Sequence, residues 1–383
     1  MGFPETYSWM VVLVMTAYGF MTCAFTIGLI RILKKKTLPA ALPGSFVSVI
    51  IPVRNEASHI TGILEEMLAQ DFPADCMEVI VADDHSEDET MVLAGRFAGF
   101  HTGFRLRLVP SPHTGLAVPG KKRAIERAVS EAKGEILLFT DADTRRGSGW
   151  ISSMVSDFTA HNIQMVLGPV YYCKEKNPLQ KIQSLEFLGL MGTTAGSAAL
   201  DLPVMCNGAN LAYRRSAFIH TGGFSGNLRY GSGDDQFVMS SVRSHYGKGS
   251  VVFNPDPLAA VATEPEATLG GFFNQRLRWV SKSRGYRDPV VIMVGITVYL
   301  THLLLLAGML LGFFYPALLL TAMMFWLVKI LLEYPVVRIM MRFFGKEKLT
   351  GYYFIAQVFQ LVYVPLAGLL GLFVPYRWKG RRG

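Results

Sequence analysis

The sequence FVSVIIPVRNE at residues 46–56 decides the fold class, because an apolar, β-branched run leads directly into polar residues. Such a run is typical of a buried strand followed by a loop. Similar runs occupy residues 78–82, 105–109, 135–140 and 165–170. Helical patterns lie between them, at residues 57–70 and 121–133. The alternation predicts an α/β domain with a Rossmann-like, doubly wound and mostly parallel sheet.

Carboxylates stand where these predicted strands end. Asp83 and Asp84 follow the second strand, and Asp141 and Asp143 follow the fourth. Because doubly wound sheets bind ligands beyond the carboxyl ends of their strands, we expect these side chains to line one pocket. Asp141 and Asp143, two residues apart on an exiting strand, are expected to point the same way and to suit a hard divalent cation that also binds phosphate. For each group alone, a solvated loop or an acidic helix cap is the alternative.

The composition indicates membrane segments on both sides of this domain. Only 17% of the residues are charged, against about 25% in ordinary soluble domains, and the mean hydropathy is +0.31. The net charge of +8 is uneven: residues 1–45 carry +3 and residues 288–383 carry +6, whereas residues 46–287 carry 24 basic and 25 acidic side chains. A near-neutral domain argues against nucleic acid as a partner, because nucleic-acid modules concentrate positive charge in their folded part.

The first apolar run, residues 9–30, contains no charged side chain and is long enough to cross a bilayer. Glu5 precedes the run, and Arg31 and three lysines at 34–36 follow it. A cleaved signal peptide would carry its positive charge before the apolar core, so the pattern predicts a membrane anchor. The positive-inside rule then places the lysines in the cytoplasm. A buried core helix is the alternative.

A longer apolar stretch, residues 290–337, exceeds a single crossing. A predicted turn at 313–316 divides it into helices near 290–312 and 316–336. Within the second helix, Lys329 and Glu333 lie four residues apart and are expected to pair. The pair is interpreted either as a helix-packing contact or as part of a lipid or substrate path.

The last apolar segment, residues 354–374, contains Pro365. It is interpreted either as a further crossing or as a re-entrant hairpin bent at this proline. A crossing would put the basic tail at 376–382 outside, against the positive-inside rule. Both alternatives therefore stay open at the level of sequence.

Residues 269–287 combine apolar and basic side chains immediately before the C-terminal apolar region. The pattern predicts an amphipathic helix that lies in the membrane interface against anionic lipid. The basic side chains assigned to its polar face are Arg276, Arg278, Lys282, Arg284 and Arg287. The expected layout is an N-terminal transmembrane anchor and basic linker at 1–45, a domain at 46–287, and a C-terminal transmembrane region with a basic tail at 288–383.

Seven motifs in a fixed order carry a resemblance to a known family. They are VIIPVRNE at 49–56, VADDHSED at 81–88, GKKRAI at 120–125, TDAD at 140–143, NGANLAYRR at 207–215, GDDQ at 233–236 and QRLRW at 275–279. With them the chain resembles the membrane-bound family 2 glycosyltransferases, which include ceramide glucosyltransferases and the cellulose, chitin and hyaluronan synthases. The resemblance covers about residues 46–287 and implies an A-type glycosyltransferase domain with N-terminal and C-terminal transmembrane helices.

The resemblance also implies roles for the donor side of the site. Asp83 and Asp84 would hold the uracil and ribose of a UDP-sugar, and Lys121 would face its phosphates. The opening loop would contribute to the same nucleotide-sugar site with Pro52, Arg54, Asn55 and Glu56. Asp143 would be the main ligand of a divalent cation, Mg²⁺ or Mn²⁺, with Asp141 on the ribose or the metal.

On the acceptor side, the resemblance implies that Asp235 is the general base, with Asp234 as the alternative. The family often has Glu-Asp here, whereas this chain has Asp-Asp, and a helix N-cap is a further reading for one of the two. Gln275, Arg278 and Trp279 would face the site, with Arg278 engaging the diphosphate in bidentate fashion. Such a role is compatible with an interfacial helix that has one lipid face and one site face.

The expected function is inverting, metal-dependent transfer of a sugar from a UDP-sugar to a lipid, polyprenyl-linked or other glycan acceptor. The expected location is the cytoplasmic face of a membrane, the bacterial inner membrane, with membrane lipid and no nucleic acid as partner. The alternatives are a processive polysaccharide synthase, a non-enzymatic membrane scaffold or transporter, and a nucleotidyl- or phosphotransferase.

Overall fold

The computed structural model describes residues 2–35, 45–111, 120–224 and 233–375, and the backbone alone of Asp234, 377–378 and 381–382. Lys36 and the side chains of the basic tail therefore lie outside the described residues. The chain divides into two compact units. The α/β unit comprises Leu33–Cys173 and Met205–Glu264, and the helical unit comprises Met1–Ile32, Lys174–Val204 and Pro265–Gly383.

The helices and strands of the described residues follow in chain order. The helices are α1 (Phe3–Leu33), α2 (Ile60–Leu68), α3 (Thr90–Phe100), α4 (Gly120–Glu131), α5 (Trp150–Ser156), α6 (Pro178–Ala199), α7 (Arg215–His220), α8 (Asp234–Tyr246), α9 (Leu269–Ser281), α10 (Pro289–Leu311), α11 (Pro316–Phe343) and α12 (Tyr353–Leu370). The strands are β1 (Val47–Val53), β2 (Met77–Asp83), β3 (Leu106–Pro110), β4 (Ile136–Phe139), β5 (Arg145–Arg146), β6 (Met165–Leu167), β7 (Val170–Tyr172), β8 (Leu211–Arg214), β9 (Val251–Phe253), β10 (Val261–Thr263), β11 (Arg377–Trp378) and β12 (Arg381–Arg382).

The main sheet of the α/β unit has seven strands in the order β3-β2-β1-β4-β8-β6-β9. β1 runs parallel to both β2 and β4, β2 runs parallel to β3, and only β8 runs antiparallel to its neighbours. The predicted α/β class and mostly parallel sheet are confirmed. β1 and β2 are buried almost throughout, because helices cover both faces of a doubly wound sheet and favour the near-continuous apolar runs from which the strands were predicted.

The run 165–170, predicted as a single strand, forms two strands in different sheets. β6 belongs to the main sheet, and β7 joins a second sheet in the order β5-β10-β7. The break falls at Gly168 and Pro169. A Cβ on Gly168 would lie 2.2 Å from the Asn210 amide nitrogen, so the chain turns here against a buried side chain.

Four helices of the helical unit, α1, α10, α11 and the segment Glu347–Leu370 that contains α12, are long and apolar enough to cross a membrane. α10 and α11 are separated by a turn at 312–315, as predicted. α12 continues through Pro365 without a break, so the hairpin interpretation of this segment is wrong. Lys329 and Glu333 pair as predicted, with 3.0 Å between Nζ and Oε2, and Gln357 bonds to both groups.

α6 is a buried helix of the helical unit that the sequence patterns did not predict. Small residues give it a close approach to α1: a Cβ on Gly28 would lie 2.2 Å from the Gly196 carbonyl oxygen, and a Cβ on Gly196 would lie 2.1 Å from that of Phe25. Such backbone contact between helices is typical of small-residue membrane packing.

The predicted interfacial helix is shorter than expected. α9 begins behind Thr268, whose hydroxyl caps the Gly271 N–H at 3.1 Å, and ends at Ser281. A 3₁₀ turn, Lys282–Gly285, replaces the rest of the predicted helix.

Candidate active site

The strand order creates a switch point between β1 and β4. From β1 the chain adds β2 and β3 on one side, and β4 lies on the other side. In doubly wound sheets ligands bind in the crevice outside the carboxyl ends of the strands at such a point. The loops that follow β1, β2 and β4 leave the sheet at this edge, and they carry Arg54, Asp84 and Asp141.

Asp83, the last residue of β2, and Asp84, which follows it, are both buried. Asp84 is 2% exposed, and its N–H donates to the Val53 carbonyl of β1 at 2.9 Å. The Asp83 carboxylate accepts the Ser86 N–H at 3.1 Å, so it stabilises its own turn. The Asp83 carboxylate therefore has a structural role within an acidic turn.

The opening loop is tied to this turn by its polar residues. Arg54 donates from Nη1 to the Asp84 carbonyl at 2.8 Å, the Asn55 N–H donates to Ser86 Oγ at 3.1 Å, and Asn55 Oδ1 accepts the Glu87 N–H at 2.9 Å. Asn55 has a φ of +53°, which asparagine tolerates better than most residues. The carboxyl ends of β1 and β2 therefore form one connected rim.

Pro52 and Glu56 lie on either side of this loop. Pro52 belongs to β1 and lies opposite Ala82 of β2. The pairing of β1 with β4 ends before it, at Ile50, so the missing N–H of the proline breaks no hydrogen bond between β1 and β4. Glu56 is buried, and its Oε2 lies 2.8 Å from His59 Nδ1. Both residues are at the rim that the sequence predicted.

Asp88 and Thr90 belong to the same rim, and the sequence patterns did not single them out. Thr90 Oγ1 accepts the Glu56 N–H at 2.7 Å, and Asp88 accepts the Ala57 and Thr90 N–H groups at 3.1 and 3.0 Å. Burial raises the pKa of Asp88, but these hydrogen bonds outweigh it and leave the pKa below its ordinary value. The partners Glu56 and Ala57 lie over 30 residues earlier, so only the spacing after Asp83 could have hinted at this role.

The loop after β4 carries the predicted metal ligands. β4 ends at Phe139, so Asp141 and Asp143 lie on a turn and the alternation of a strand does not orient them as expected. Asp141 is half-buried and Asp143 is exposed. Lys121 Nζ, from the first turn of α4, lies 2.9 Å from Asp141 Oδ1. The pair places a cation beside Asp141 at this edge of the sheet.

Lys122 differs from its neighbour. Lys122 is completely buried, whereas Lys121 keeps 30% of its side chain exposed. Lys121 is therefore the better placed of the two to meet an anionic ligand.

The fit to a divalent cation rests on few protein ligands. Among the residues that the structure describes, no three His, Cys, Asp or Glu side chains converge on one point. Mg²⁺ usually takes one or two carboxylates and completes its shell with water and substrate phosphate. Asp143 and Asp141 fit that pattern.

The turn at 207–210 and the predicted base Asp235 are joined in the α/β unit. Asp235 accepts the Gly208 N–H on Oδ2 at 3.0 Å and the Gln236 N–H on Oδ1 at 2.9 Å. α8 begins at Asp234 behind Gly233, which has a φ of +87° and provides no side-chain cap. The N-cap reading for Asp235 is therefore wrong, because it lies inside the first turn. The side chain of Asp234 lies outside the described part of the chain.

The QRLRW motif lies on α9 of the helical unit, with Gln275, Arg278 and Trp279 all partly exposed. Arg276 does not lie on the polar face as expected. It is 3% exposed, its Nη2 lies 2.7 Å from Glu186 Oε2 of α6, and its guanidinium packs 4.1 Å from the Trp279 ring centroid. Tyr363 of α12 donates to the other Glu186 oxygen. The burial could not be predicted, because Glu186 lies 90 residues earlier on an unpredicted helix.

Two family models match the chain. The model for glycosyl transferase family 2 matches residues 48–222, and the model for glycosyl transferase family group 2 matches residues 136–374, well over half of the chain.

Relatives of known activity share parts of the sequence. Glycosyltransferase AglE of Haloferax volcanii is 30% identical over 127 residues, which are 33% of this chain and 40% of the relative. An N-acetylglucosaminyltransferase of Mesorhizobium japonicum is 24% identical over 69% of this chain and 62% of the relative. The poly-beta-1,6-N-acetyl-D-glucosamine synthase of Staphylococcus epidermidis is 23% identical over 61% of this chain and 53% of the relative. The chain spans less than two thirds of the length of each.

A solved structure shares the fold across nearly the whole chain. It is the mannosyltransferase PcManGT from Pyrobaculum calidifontis, determined in complex with GDP-Man and Mn²⁺. The TM-score is 0.60 at 20% sequence identity, and the match covers 96% of this chain and 99% of that one. The predicted A-type glycosyltransferase fold is thereby confirmed. The chain belongs to glycosyl transferase family group 2 and is a glycosyltransferase.

Proposed function

We propose that this glycosyltransferase inverts the configuration of a sugar as it moves it from a UDP-sugar to a lipid or polyprenyl-linked acceptor. The observation that carries the proposal is the setting of Asp235. Two backbone N–H groups orient its carboxylate, one on each oxygen. A carboxylate held in this way suits a general base that must meet an acceptor hydroxyl in one geometry.

In this proposal the acceptor hydroxyl attacks the anomeric carbon of the donor from the face opposite UDP. Asp235 takes the hydroxyl proton as the new carbon–oxygen bond forms and the bond to the diphosphate oxygen breaks. UDP leaves with the electron pair of the broken bond, and the anomeric configuration inverts. Asp234, the adjacent residue of α8, is the alternative base.

The donor would lie against the rim formed by β1, β2 and β4. Asp83 and Asp84 would meet the nucleoside, with Arg54 and Asn55 keeping their turn in place. A divalent cation held by Asp143 and Asp141 would supply positive charge against the leaving diphosphate. Lys121 would add a second positive charge beside it, at 2.9 Å from Asp141. The relative solved with GDP-Man and Mn²⁺ supports both a nucleotide-sugar and a divalent cation.

The acceptor is proposed to be a membrane lipid because of the four apolar helices. Basic residues follow α1 and occupy the end of α11, where Arg338 and Arg342 lie. By the positive-inside rule these ends, and the α/β unit with them, would face the cytoplasm. Gln275, Arg278 and Trp279 of α9 are proposed to contribute to the diphosphate and acceptor sites.

The names of several relatives make N-acetylglucosamine the first sugar to test. Membranes that contain the protein would be incubated with UDP-N-acetylglucosamine, UDP-glucose, UDP-galactose and GDP-mannose, and nucleotide release would be measured for each. One uridine donor should release UDP well above membranes without the protein. Release from GDP-mannose alone would contradict the proposed donor class.

A processive synthase is the second candidate, favoured by the similarity to the poly-beta-1,6-N-acetyl-D-glucosamine synthase. The two candidates differ in product length. A single transfer gives one lipid product at all donor concentrations, whereas a processive enzyme gives a polymer ladder on a gel.

A further inference from the structure

A buried arginine lies directly beneath the loop that carries Asp141 and Asp143. The side chain of Arg146 has no exposed surface. Its Nη1 donates to Thr140 Oγ1 at 3.0 Å, and its Nη2 donates to Thr144 Oγ1 at 2.6 Å and to the Thr144 carbonyl at 2.9 Å. Thr140 and Thr144 immediately flank the loop, so one guanidinium fork joins its two ends.

The hydroxyl of Thr144 closes the loop from within. It donates to the Asp141 carbonyl at 2.6 Å, and Thr140 Oγ1 lies 3.1 Å away. Because the Thr144 hydroxyl already donates its proton to this carbonyl, the Thr140 hydroxyl is the donor in the bond between the two threonines. The Thr140 oxygen accepts a hydrogen bond from Arg146. The two hydroxyls and the two terminal nitrogens of the guanidinium therefore have consistent hydrogen-bond directions, which favours a single loop conformation.

Glu66 holds the arginine from the opposite side. Its Oε2 lies 3.2 Å from Arg146 Nε. The same oxygen accepts a hydrogen bond from the backbone N–H of Arg146 at 3.2 Å. Burial lowers the pKa of Arg146 to about 10 and Glu66 opposes this, so the guanidinium stays charged at neutral pH. Arg145 also lies near Glu66, at 3.5 Å, but its side chain is 42% exposed.

The same arginine is connected, through Trp150, to the turn at 207–210. Its guanidinium carbon lies 5.2 Å from the Trp150 ring centroid, and Trp150 Nε1 donates to Asn210 Oδ1 at 2.9 Å. Asn210 is fully buried. Its backbone N–H donates to the Asn207 carbonyl at 3.1 Å and so closes the turn at 207–210. Gly208, within that turn, donates to Asp235.

We propose that Arg146 is a positioning residue that fixes the loop of Asp141 and Asp143 and, through Trp150 and Asn210, keeps it in register with the turn that holds Asp235. The inference rests on the proposed function. The inference adds that a buried chain of contacts, from Arg146 through Trp150 to Asn210, sets the distance between the loop of Asp141 and Asp143 and the turn that holds Asp235. None of its members needs to touch the substrate.

The first test measures Mn²⁺ binding by electron paramagnetic resonance in the presence of UDP, on the full-length protein in nanodiscs. Arg146→Lys keeps the charge but loses the fork, and Thr144→Val keeps the shape but loses the loop-closing hydroxyl. Both should bind Mn²⁺ about 10- to 100-fold more weakly than wild type, the usual range when the residues behind a metal ligand are changed. Arg145→Lys is the matched control and should bind as wild type. Thr144→Val remains informative if Arg146→Lys fails to fold.

The second test separates the two ends of the chain of contacts. Trp150→Phe keeps the ring over Arg146 but removes the hydrogen bond to Asn210. It should leave the Mn²⁺–UDP affinity within about twofold and lower kcat about 10- to 100-fold, since small displacements of reacting groups cost this much.

The outcomes distinguish this inference from the proposed function. Wild-type protein without affinity for Mn²⁺–UDP would overturn the proposed function and this inference with it. Wild-type affinity that persists in folded Arg146→Lys and in Thr144→Val would overturn this inference alone, as would an equal loss in Arg145→Lys. An unchanged kcat in Trp150→Phe would overturn the connection to the turn of Asp235.

Discussion

Asp235 and Gly208 are joined by a hydrogen bond of 3.0 Å from the glycine N–H to Oδ2 of the carboxylate. The bond ties the first turn of α8 to the turn at 207–210. Since the donor is a backbone group, this constraint on the carboxylate depends on how the turn at 207–210 is packed. The backbone of that turn therefore holds Oδ2 of the Asp235 carboxylate.

Asp235→Asn should abolish transfer and keep nucleotide binding. The amide retains the shape and one accepting oxygen, but it cannot take a proton, and a general base usually contributes about 10²- to 10⁴-fold to the rate. Turnover and UDP affinity, the latter by titration calorimetry, would be measured on the same preparation. Asp234→Asn is the matched control. If Asp234→Asn loses turnover while Asp235→Asn keeps it, the roles of the two residues are exchanged.

Asp143→Ala should be nearly inactive and should lose its response to added Mn²⁺. Without a cation, the charge of the departing diphosphate is uncompensated, and Lys121 alone cannot balance it. The rate would be measured against Mn²⁺ and Mg²⁺ concentration, with wild-type protein in excess chelator as the second arm. Wild-type turnover that persists in excess chelator would contradict metal dependence.

Arg276→Met should destabilise the helical unit strongly. Removal of one partner leaves Glu186 buried without its cation, which typically costs about 3–5 kcal/mol. The melting temperature in detergent should fall clearly for this variant. The double variant Arg276→Met/Glu186→Gln should recover part of the loss, and no recovery in the double variant would argue against the pair as the cause.

Arg278→Lys separates two roles of α9. A lysine keeps the charge near anionic lipid but loses the bidentate fork. If Arg278 engages the diphosphate, kcat should fall about tenfold or more with unchanged binding to anionic liposomes. Loss of liposome binding with an unchanged kcat would instead support the lipid role.

Asp157 should make stability depend on pH. Burial raises its pKa to about 6, with Lys35 opposing and Asp256 adding to the effect, and its Oδ2 has no hydrogen-bond partner in the described chain. An acid whose pKa is higher in the folded than in the unfolded state contributes its full stability only at pH values below the unfolded-state pKa, here near 3.8. This contribution is lost as the pH rises through the folded-state pKa of about 6. The charged form therefore costs up to about 3 kcal/mol at neutral pH.

Asp157→Asn should accordingly raise the melting temperature at pH 7.5 and change it little at pH 4. Thermal unfolding at both pH values would measure the difference. Asp75→Asn, an exposed aspartate elsewhere in the α/β unit, serves as control. An equal shift at both pH values would rule out ionisation of Asp157 as the cause.

Much of the fold could be predicted because the relevant signals are local. β1 and β2 are buried on both faces, so their apolar runs are continuous, and α1, α10 and α11 have the length and apolarity that a bilayer requires. Membership of the family confirms the enzyme prediction over the non-enzymatic alternative. α6 escaped notice because glycine, alanine and threonine, together with Lys181 and Glu186, give no continuous apolar run, although small residues are what allow its close packing.

The side-chain contacts that lie behind the motifs could not be predicted, since they join residues distant in sequence. Arg276 is a basic residue on an amphipathic helix by pattern, and only the position of Glu186 explains its burial. Arg146 depends on Glu66, 80 residues earlier, and Trp150 depends on Asn210, 60 residues later. A motif can indicate where a functional side chain stands in the chain, but the residues that orient it become visible only in the fold.

Mass spectrometry of the lipid extract tests the central claim most directly. Membranes with wild-type protein, UDP-sugar and Mn²⁺ should yield a lipid heavier by one sugar residue. The same product should be absent with excess chelator and with Asp235→Asn. A glycolipid formed equally by wild type and Asp235→Asn, or no glycolipid with any UDP-sugar, would contradict the account.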